Sequence, residues 1–197
     1  MISLEQGGEL VVLARKAIES KFSLMGFKED KKQKAEFSMH LGCFVTLRKN
    51  GELRGCIGYP EPSMSLYEGI ISAAEGAAFH DPRFPQVEKG ELDEIDVEIS
   101  VLTKPARIYV RNPEEYMSQI QVGRDGLLIR STFSSGLLLP QVATEYGWDS
   151  LTFLKHTCLK ANLKPDDWRD FDNVRVYKFQ SQVFGETSPR GEIVQVM

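Results

Sequence analysis

No stretch of this chain approaches the roughly 20 consecutive apolar residues that a membrane-spanning helix needs. The start, Met1-Ile2-Ser3-Leu4-Glu5, has no basic region followed by an apolar core and does not read as a targeting peptide. Cysteine is scarce. Cys43, Cys56 and Cys158 cannot all pair within one chain, which points to the reducing cytoplasm instead of a disulfide framework. A basic excess is missing too: 24 Lys and Arg face 28 Asp and Glu, for a net charge of -4. A nucleic-acid binder shows the opposite sign, so RNA or DNA would need a local patch. No GxxxxGK loop is present, and no GxGxxG opens a helix after a strand. Ser134-Ser135-Gly136 lacks the G-x-S-x-G elbow of a serine hydrolase. The only His/Cys pairs, His40-x-x-Cys43 and His156-x-Cys158, lack the paired spacing of a zinc site. The expectation is therefore no metal and no cofactor, and the chain has neither an internal repeat nor a low-complexity linker.

What is there fits an ordinary globular protein. The 197 residues are 42% hydrophobic and 26% charged, enough for one substantial core or one domain with two lobes. Leu10, Leu13, Ala14, Ala17 and Ile18 recur at helical spacing over residues 8–22, with Arg15, Lys16 and Glu19 expected to face water. The charged residues 28–34 read as an exposed loop. Residues 43–47 read as a strand and Asn50-Gly51 as a hairpin turn, since both residues tolerate positive φ. The returning strand covers residues 52–57, with Cys56 at its far end and roughly across from residues 43–45.

Pro60 and Pro62 then break the chain, and Ser63 or Ser65 caps a helix through Ile70, Ile71, Ala74, Ala77 and Ala78. That helix ends at His80-Asp81-Pro82-Arg83-Phe84-Pro85, a rigid turn set by two prolines. Ile95, Val97, Ile99 and Val101 alternate with Glu94, Asp96, Glu98 and Ser100, the pattern of a half-buried strand. A short helix follows Asn112-Pro113, and Asp125-Gly126 predicts a hairpin joining residues 120–122 to 127–129. Leu137, Leu138 and Leu139 are expected inside, with Pro140 opening a helical turn. Asp149 or Ser150 caps a helix through Leu151, Leu154, Thr157, Cys158 and Ala161, whose start Trp148 and Phe153 staple to the core. A final strand covers residues 174–183. Strands and helices mix without a βαβ rhythm, so the fold class is α+β with a mostly antiparallel sheet.

The densest chemistry lies in Leu53-Arg54-Gly55-Cys56-Ile57-Gly58, a thiol and a fixed cation between two glycines that let a ligand or another backbone approach. This hexapeptide resembles the hallmark of the AMMECR domain family. Gly42-Cys43-Phe44-Val45-Thr46-Leu47, Asp81-Pro82-Arg83-Phe84-Pro85 and Val97-Glu98-Ile99-Ser100-Val101-Leu102-Thr103 match in order. So do Gly123-Arg124-Asp125-Gly126-Leu127, Ser135-Gly136-Leu137-Leu138-Leu139-Pro140-Gln141-Val142 and Trp148-Asp149, so the resemblance spans nearly all of residues 1–197. It implies a single α+β domain with a larger and a smaller lobe. It also implies the company of a Memo-like protein and a radical-SAM enzyme, the AmmeMemoRadiSam system, in which this chain is similar to protein A. The association names a shared pathway and no reaction.

Weighed on their own chemistry, the residues give a candidate site. Cys56 is a nucleophile or redox thiol, or a small residue filling a tight strand. Arg54 and Arg83 clamp an anionic small ligand such as a phosphate, nucleotide or carboxylate, or pair structurally with Glu98 or Asp81. His80 is a base for Cys56 if the helix end returns to the hairpin. Glu94, Asp96 and Glu98 read most simply as a solvated face, with Glu98 retained because it lies in a matching segment. The reading is a ligand-binding or catalytic domain with Cys56 and Glu98 catalytic and Arg54, Gly55, Gly58, Asp81 and Arg83 binding. The rivals are a non-catalytic adaptor and an RNA-associated module, since Gly55-Cys56-Ile57-Gly58 is also a G-x-x-G.

Overall fold

The computed structural model describes residues 2–61 and 63–196; Pro62, expected to break the chain, lies outside the described residues. The elements run α1 (Leu4–Ser20), α2 (Lys31–Glu36), β1 (Gly42–Lys49), β2 (Glu52–Tyr59), α3 (Leu66–Phe79), β3 (Ile95–Leu102), β4 (Ala106–Arg107) and α4 (Tyr116–Gln119). They continue with β5 (Gly126–Arg130), β6 (Ser135–Leu138), α5 (Pro140–Glu145), α6 (Ser150–Lys160), β7 (Arg175–Phe179), β8 (Ser181–Glu186) and β9 (Ile193–Gln195). Helices and antiparallel strands make an α+β fold, and among the described residues no helix is long and apolar enough to cross a membrane. The chain divides into two compact units, Met1–Leu102 with Gln182–Met197, and Thr103–Ser181.

The first unit is a five-stranded sheet, ordered β2-β1-β3-β8-β9, with helices against one face. Val45, Leu47, Val97 and Ile99 point to that face and are fully buried with Leu10, Leu13, Ile70 and Ala74. Serine caps set where the helices start. The Ser3 side chain accepts the Gln6 N–H and the Ser65 side chain accepts the Glu68 N–H, each closed into a capping box. Residues 28–34 are not all loop: Asp30 accepts the N–H groups of Lys32 and Gln33 and starts α2, a helix with no buried residue. A polar helix of that kind leaves no apolar period to read in the sequence.

Arg15 also departs from expectation. It does not face water but lies 7% exposed beneath the sheet. Its guanidinium forks onto both carboxylate oxygens of Glu186 and donates to the carbonyls of Leu92 (3.0 Å) and Ile95 (2.7 Å). Glu186 in turn accepts the Val97 N–H at 3.0 Å. One ion pair thus joins α1, the entry to β3 and the end of β8.

The second unit is a four-stranded sheet, ordered β4-β7-β5-β6, covered by α6. Leu127, Ile129 and Val176 are fully buried against Phe153, Leu154 and Cys158. The Asp149 side chain caps α6 through the Thr152 N–H, and Pro140 opens α5. Trp148 stacks on His156, ring centroids 3.9 Å apart, while Phe153 alone goes fully inside. Leu137, Leu138 and Leu139 are half-buried, because β6 is an outer strand; Gly136 is the residue pressed inward, against the Ala161 backbone.

The Asp125-Gly126 hairpin does not form. Asp125 accepts the Gln121 N–H with its side chain and folds the segment into a tight turn, so the hairpin is β5–β6 instead, closed at Ser131 and Ser134. The strand expected over residues 174–183 is two strands in two sheets, β7 and β8. Between them the Gln180 carbonyl accepts the Thr103 N–H and its N–H donates to Thr103 Oγ1, both at 2.9 Å. Both strands share a period of two, so alternation gives no sign of the break.

A buried ion pair that loses one partner leaves the other charge uncompensated. Arg15→Met is expected to cost about 3–5 kcal/mol in chemical denaturation, with part recovered by adding Glu186→Met. A loss within about 0.5 kcal/mol would make the pair no better than a surface one.

Candidate functional site

The hexapeptide lies in β2, the outermost strand of its sheet. Asn50 (φ 53°) and Gly51 (φ 80°) make the tight turn from β1. Cys56 is mid-strand, not at the far end, because β2 continues to Tyr59, and it sits opposite Thr46, one residue past the stretch expected. Cys43 pairs with Tyr59 and points into the core, so the two thiols lie on opposite faces and do not approach one another.

As an outer strand, β2 has peptide groups that no neighbouring strand can satisfy. At Cys56 two side chains from the turn after α3 do so. The Cys56 N–H donates to Asp81 Oδ2 at 2.9 Å, and its carbonyl accepts from Arg83 Nη2 at 3.1 Å. Asp81 and Arg83 are joined by two parallel bonds of 2.9 and 2.7 Å, and Asp81 Oδ1 also accepts the Arg83 N–H. The Arg83 guanidinium holds the Asp81 carboxyl well below the usual carboxylate range, against the opposing effect of burial and aided by the Cys56 N–H. The Cys56 peptide groups therefore point away from β1, which makes Thr46–Cys56 a non-hydrogen-bonded pair, the type whose side chains come closest. Thr46 Oγ1 donates to Cys56 Sγ at 3.3 Å.

Arg54 lies at an irregularity in the β1–β2 register, between the Gly55 and Leu53 pairings. Its side chain is 11% exposed and all three of its nitrogens are engaged. Nε and Nη2 fork onto Glu91 at 3.0 and 2.9 Å, Nη1 donates to the Pro85 carbonyl at 2.9 Å and Nη2 to that of Gln86 at 3.3 Å. Its carboxylate is thus Glu91, while Asp81 serves Arg83, as expected of a structural pair. The Arg54 hydrogen bonds hold Glu91 down at about 2 from an ordinary 4.5, with burial opposing and the Glu88 N–H assisting.

The glycines serve close packing within the chain. A Cβ on Gly55 would stand 2.1 Å from the Ala77 carbonyl oxygen of α3, and one on Gly58 would stand 2.2 Å from the Phe44 ring. Space that was open to a ligand on sequence grounds is taken by the protein itself. Both glycines lie within a strand, unlike a nucleotide-clamping loop between two helices.

Glu98 sits opposite Thr46 on β3, so Cys56, Thr46 and Glu98 form one row across three strands, on the face away from the helices. Two strand spacings of about 4.8 Å each separate the Cys56 and Glu98 backbones, and both side chains project to the same face. Thr46 stands between them, and with Glu91 it is the site residue that sequence reasoning missed. Thr46 carried a signal, its place in a matching segment facing the hairpin turn; Glu91 carried none. Burial rises from exposed Glu94, just before β3, to Ser100 within it, 3% exposed, so this face is not simply solvated. His80 is exposed at the end of α3, and among the described residues no contact joins it to Cys56. Cys43 and Cys158 are buried, and burial pushes their thiols up to about 12 and about 11. Among the described residues no three His, Cys, Asp or Glu side chains converge as metal ligands. A cavity of about 410 Å³ opens between the end of α1 and α2 and shares no residue with this site.

Comparison places these residues among relatives. The AMMECR1 family model matches residues 11–184. Protein MJ0810 of Methanocaldococcus jannaschii is 48% identical over 99% of this chain and 97% of its own length. A protein of Methanothermobacter thermautotrophicus is 50% identical over 94% of this chain and 96% of its own. The crystal structure of Uncharacterized Protein PH0010 from Pyrococcus horikoshii matches with a TM-score of 0.89 and 46% identity, over 98% of both chains.

Because Glu91 ionises more readily folded than unfolded, it adds stability that is complete above a pH of about 4.5 and is lost as pH falls toward about 2. Glu91→Gln is expected to cost about 2 kcal/mol at neutral pH and to flatten the stability profile between those two values. An unchanged profile in denaturant titrations across that range would deny Arg54–Glu91 this role.

Proposed function

The chain belongs to the AMMECR1 family, and on that premise we propose a ligand-binding domain whose working group is the Cys56 thiol. One observation carries this reading. Cys56 is the half-buried thiol of the three, its own peptide groups are fixed by Asp81 and Arg83, and its sulfur accepts a bond from Thr46. A thiol held this way meets a ligand at little cost in ordering, which is what a nucleophile or redox group needs. Of the two arginines, Arg83 is the one that would meet an anionic group, since its side chain is 53% exposed and that of Arg54 only 11%. Arg54 acts as a positioning residue through Glu91 and the Pro85 and Gln86 carbonyls. Glu98, one strand beyond Thr46 and on the same face as Cys56, would act as the base. The proposal places the chain in the cytoplasm, working with a Memo-like protein and a radical-SAM enzyme.

A second reading has its own support. Arg54, Asp81 and Arg83 spend hydrogen bonds on this chain's own backbone, as a surface kept rigid for another protein would require. Such an adaptor would tolerate Cys56→Ala.

Iodoacetamide labelling of the native protein, followed by intact mass and peptide mapping, separates the two. One adduct is expected, at Cys56, with Cys43 and Cys158 modified only on unfolding and the rate altered in Thr46→Val. If all three cysteines wait for global unfolding, Cys56 is structural and the adaptor reading stands.

A further inference from the structure

We propose that the Thr103–Ser181 unit carries a second site, a pocket for the phosphate or carboxylate group of a small polar metabolite, centred on Arg124 and Lys178. The pocket has a volume of about 310 Å³ and lies beside the end of α4, the turn before β5 and the end of β7. All seven side chains that line it are polar. No hydrophobic residue lines it, so affinity there comes chiefly from charge and hydrogen bonds.

The balance of those groups favours an anion. Arg124 Nη1 donates to Gln121 Oε1 at 3.1 Å. Gln180, its amide turned with the oxygen toward the guanidinium, accepts from Nε at 2.7 Å and Nη2 at 3.0 Å. These partners are neutral amides, and among the described residues no carboxylate pairs with Arg124. They hold the guanidinium in place without cancelling its charge. A guanidinium has five N–H donors, so two remain for a ligand.

Lys178 Nζ donates to the Gln119 carbonyl at 2.7 Å and lies 3.6 Å from Asp125 Oδ2. Asp125 is 4% exposed and already accepts the Gln121 N–H at 3.0 Å. Two cations thus face one carboxylate that is occupied by the turn it holds. The surplus positive charge sits on a fork suited to two oxygens of one group. A cationic ligand would be repelled, and a neutral apolar one would leave the donors unpaired. The cavity exceeds a single oxyanion, so the rest of the ligand is polar as well. Nothing in this site depends on Cys56, and its success or failure is separate from that of the thiol reading.

The test is titration of the full-length protein with inorganic phosphate and, separately, with citrate, followed through the backbone amide resonances. Saturable shifts confined to residues 118–126 and 178–180, with millimolar affinity or tighter, are expected for one of the two. Saturation by phosphate alone identifies a phosphorylated ligand class, and saturation by citrate alone a carboxylate. Arg124→Gln should weaken binding by about 10- to 100-fold with the rest of the spectrum unchanged. Lys178→Gln should weaken it too, and Lys164→Gln, outside the pocket, should not. Linear shifts with both anions, or equal binding by Arg124→Gln and the parent, would overturn the proposal.

Discussion

The outermost strand of a sheet must find partners for the peptide groups that face away from its neighbour. In β2 that requirement is met by side chains, and much of the first unit follows from it. Asp81 and Arg83 reach Cys56 only because α3 ends where it does, with the Asp-Pro-Arg-Phe-Pro turn alongside the strand. Helix α3 gets there because Gly55 and Gly76 let its backbone lie directly on β2. Arg54 then fastens the same connecting segment further along, through Glu91 and two carbonyls. Two arginines of the matching motifs thus tie one stretch of chain to one strand at two points. The same bonds cap an edge that would otherwise be open to pairing with another chain.

A consequence for chemistry is that Cys56 has almost no freedom. Its backbone is fixed on the outer side by the Asp81–Arg83 pair and on the inner side by the β1 register, and its sulfur is met by Thr46. Structural rigidity and functional placement are carried here by the same hydrogen bonds. A substitution that loosens the clamp moves the thiol as well as the strand.

Features with local causes were legible in the chain. Asn50-Gly51 announces its hairpin, the alternation over β3 names its core-facing residues, and Ser65, Pro140 and Asp149 mark helix starts. Most of what escaped depends on partners the local pattern does not show, two of them far along the chain. Arg15 looks solvent-facing on its own helix, and its carboxylate lies 171 positions away. The Arg54 partner Glu91 is 37 positions off in a short turn without an apolar period. Asp125-Gly126 has the residues of a hairpin turn, but the Asp125 side chain binds the Gln121 N–H and redirects the chain. The thiol was legible because glycine, arginine and cysteine crowd together. Thr46 emerged only once the register placed it opposite Cys56.

The Arg15–Glu186 pair also sets an order of events on the ribosome. At about 5–20 residues per second, the 171 positions between the two take roughly 10–30 s to synthesise. By the end of that interval the contiguous Thr103–Ser181 unit has been made, before the first sheet has received β8 and β9. The nascent amino-terminal half therefore waits with a guanidinium whose carboxylate has not yet been made. The unit that is started first is the one that closes last.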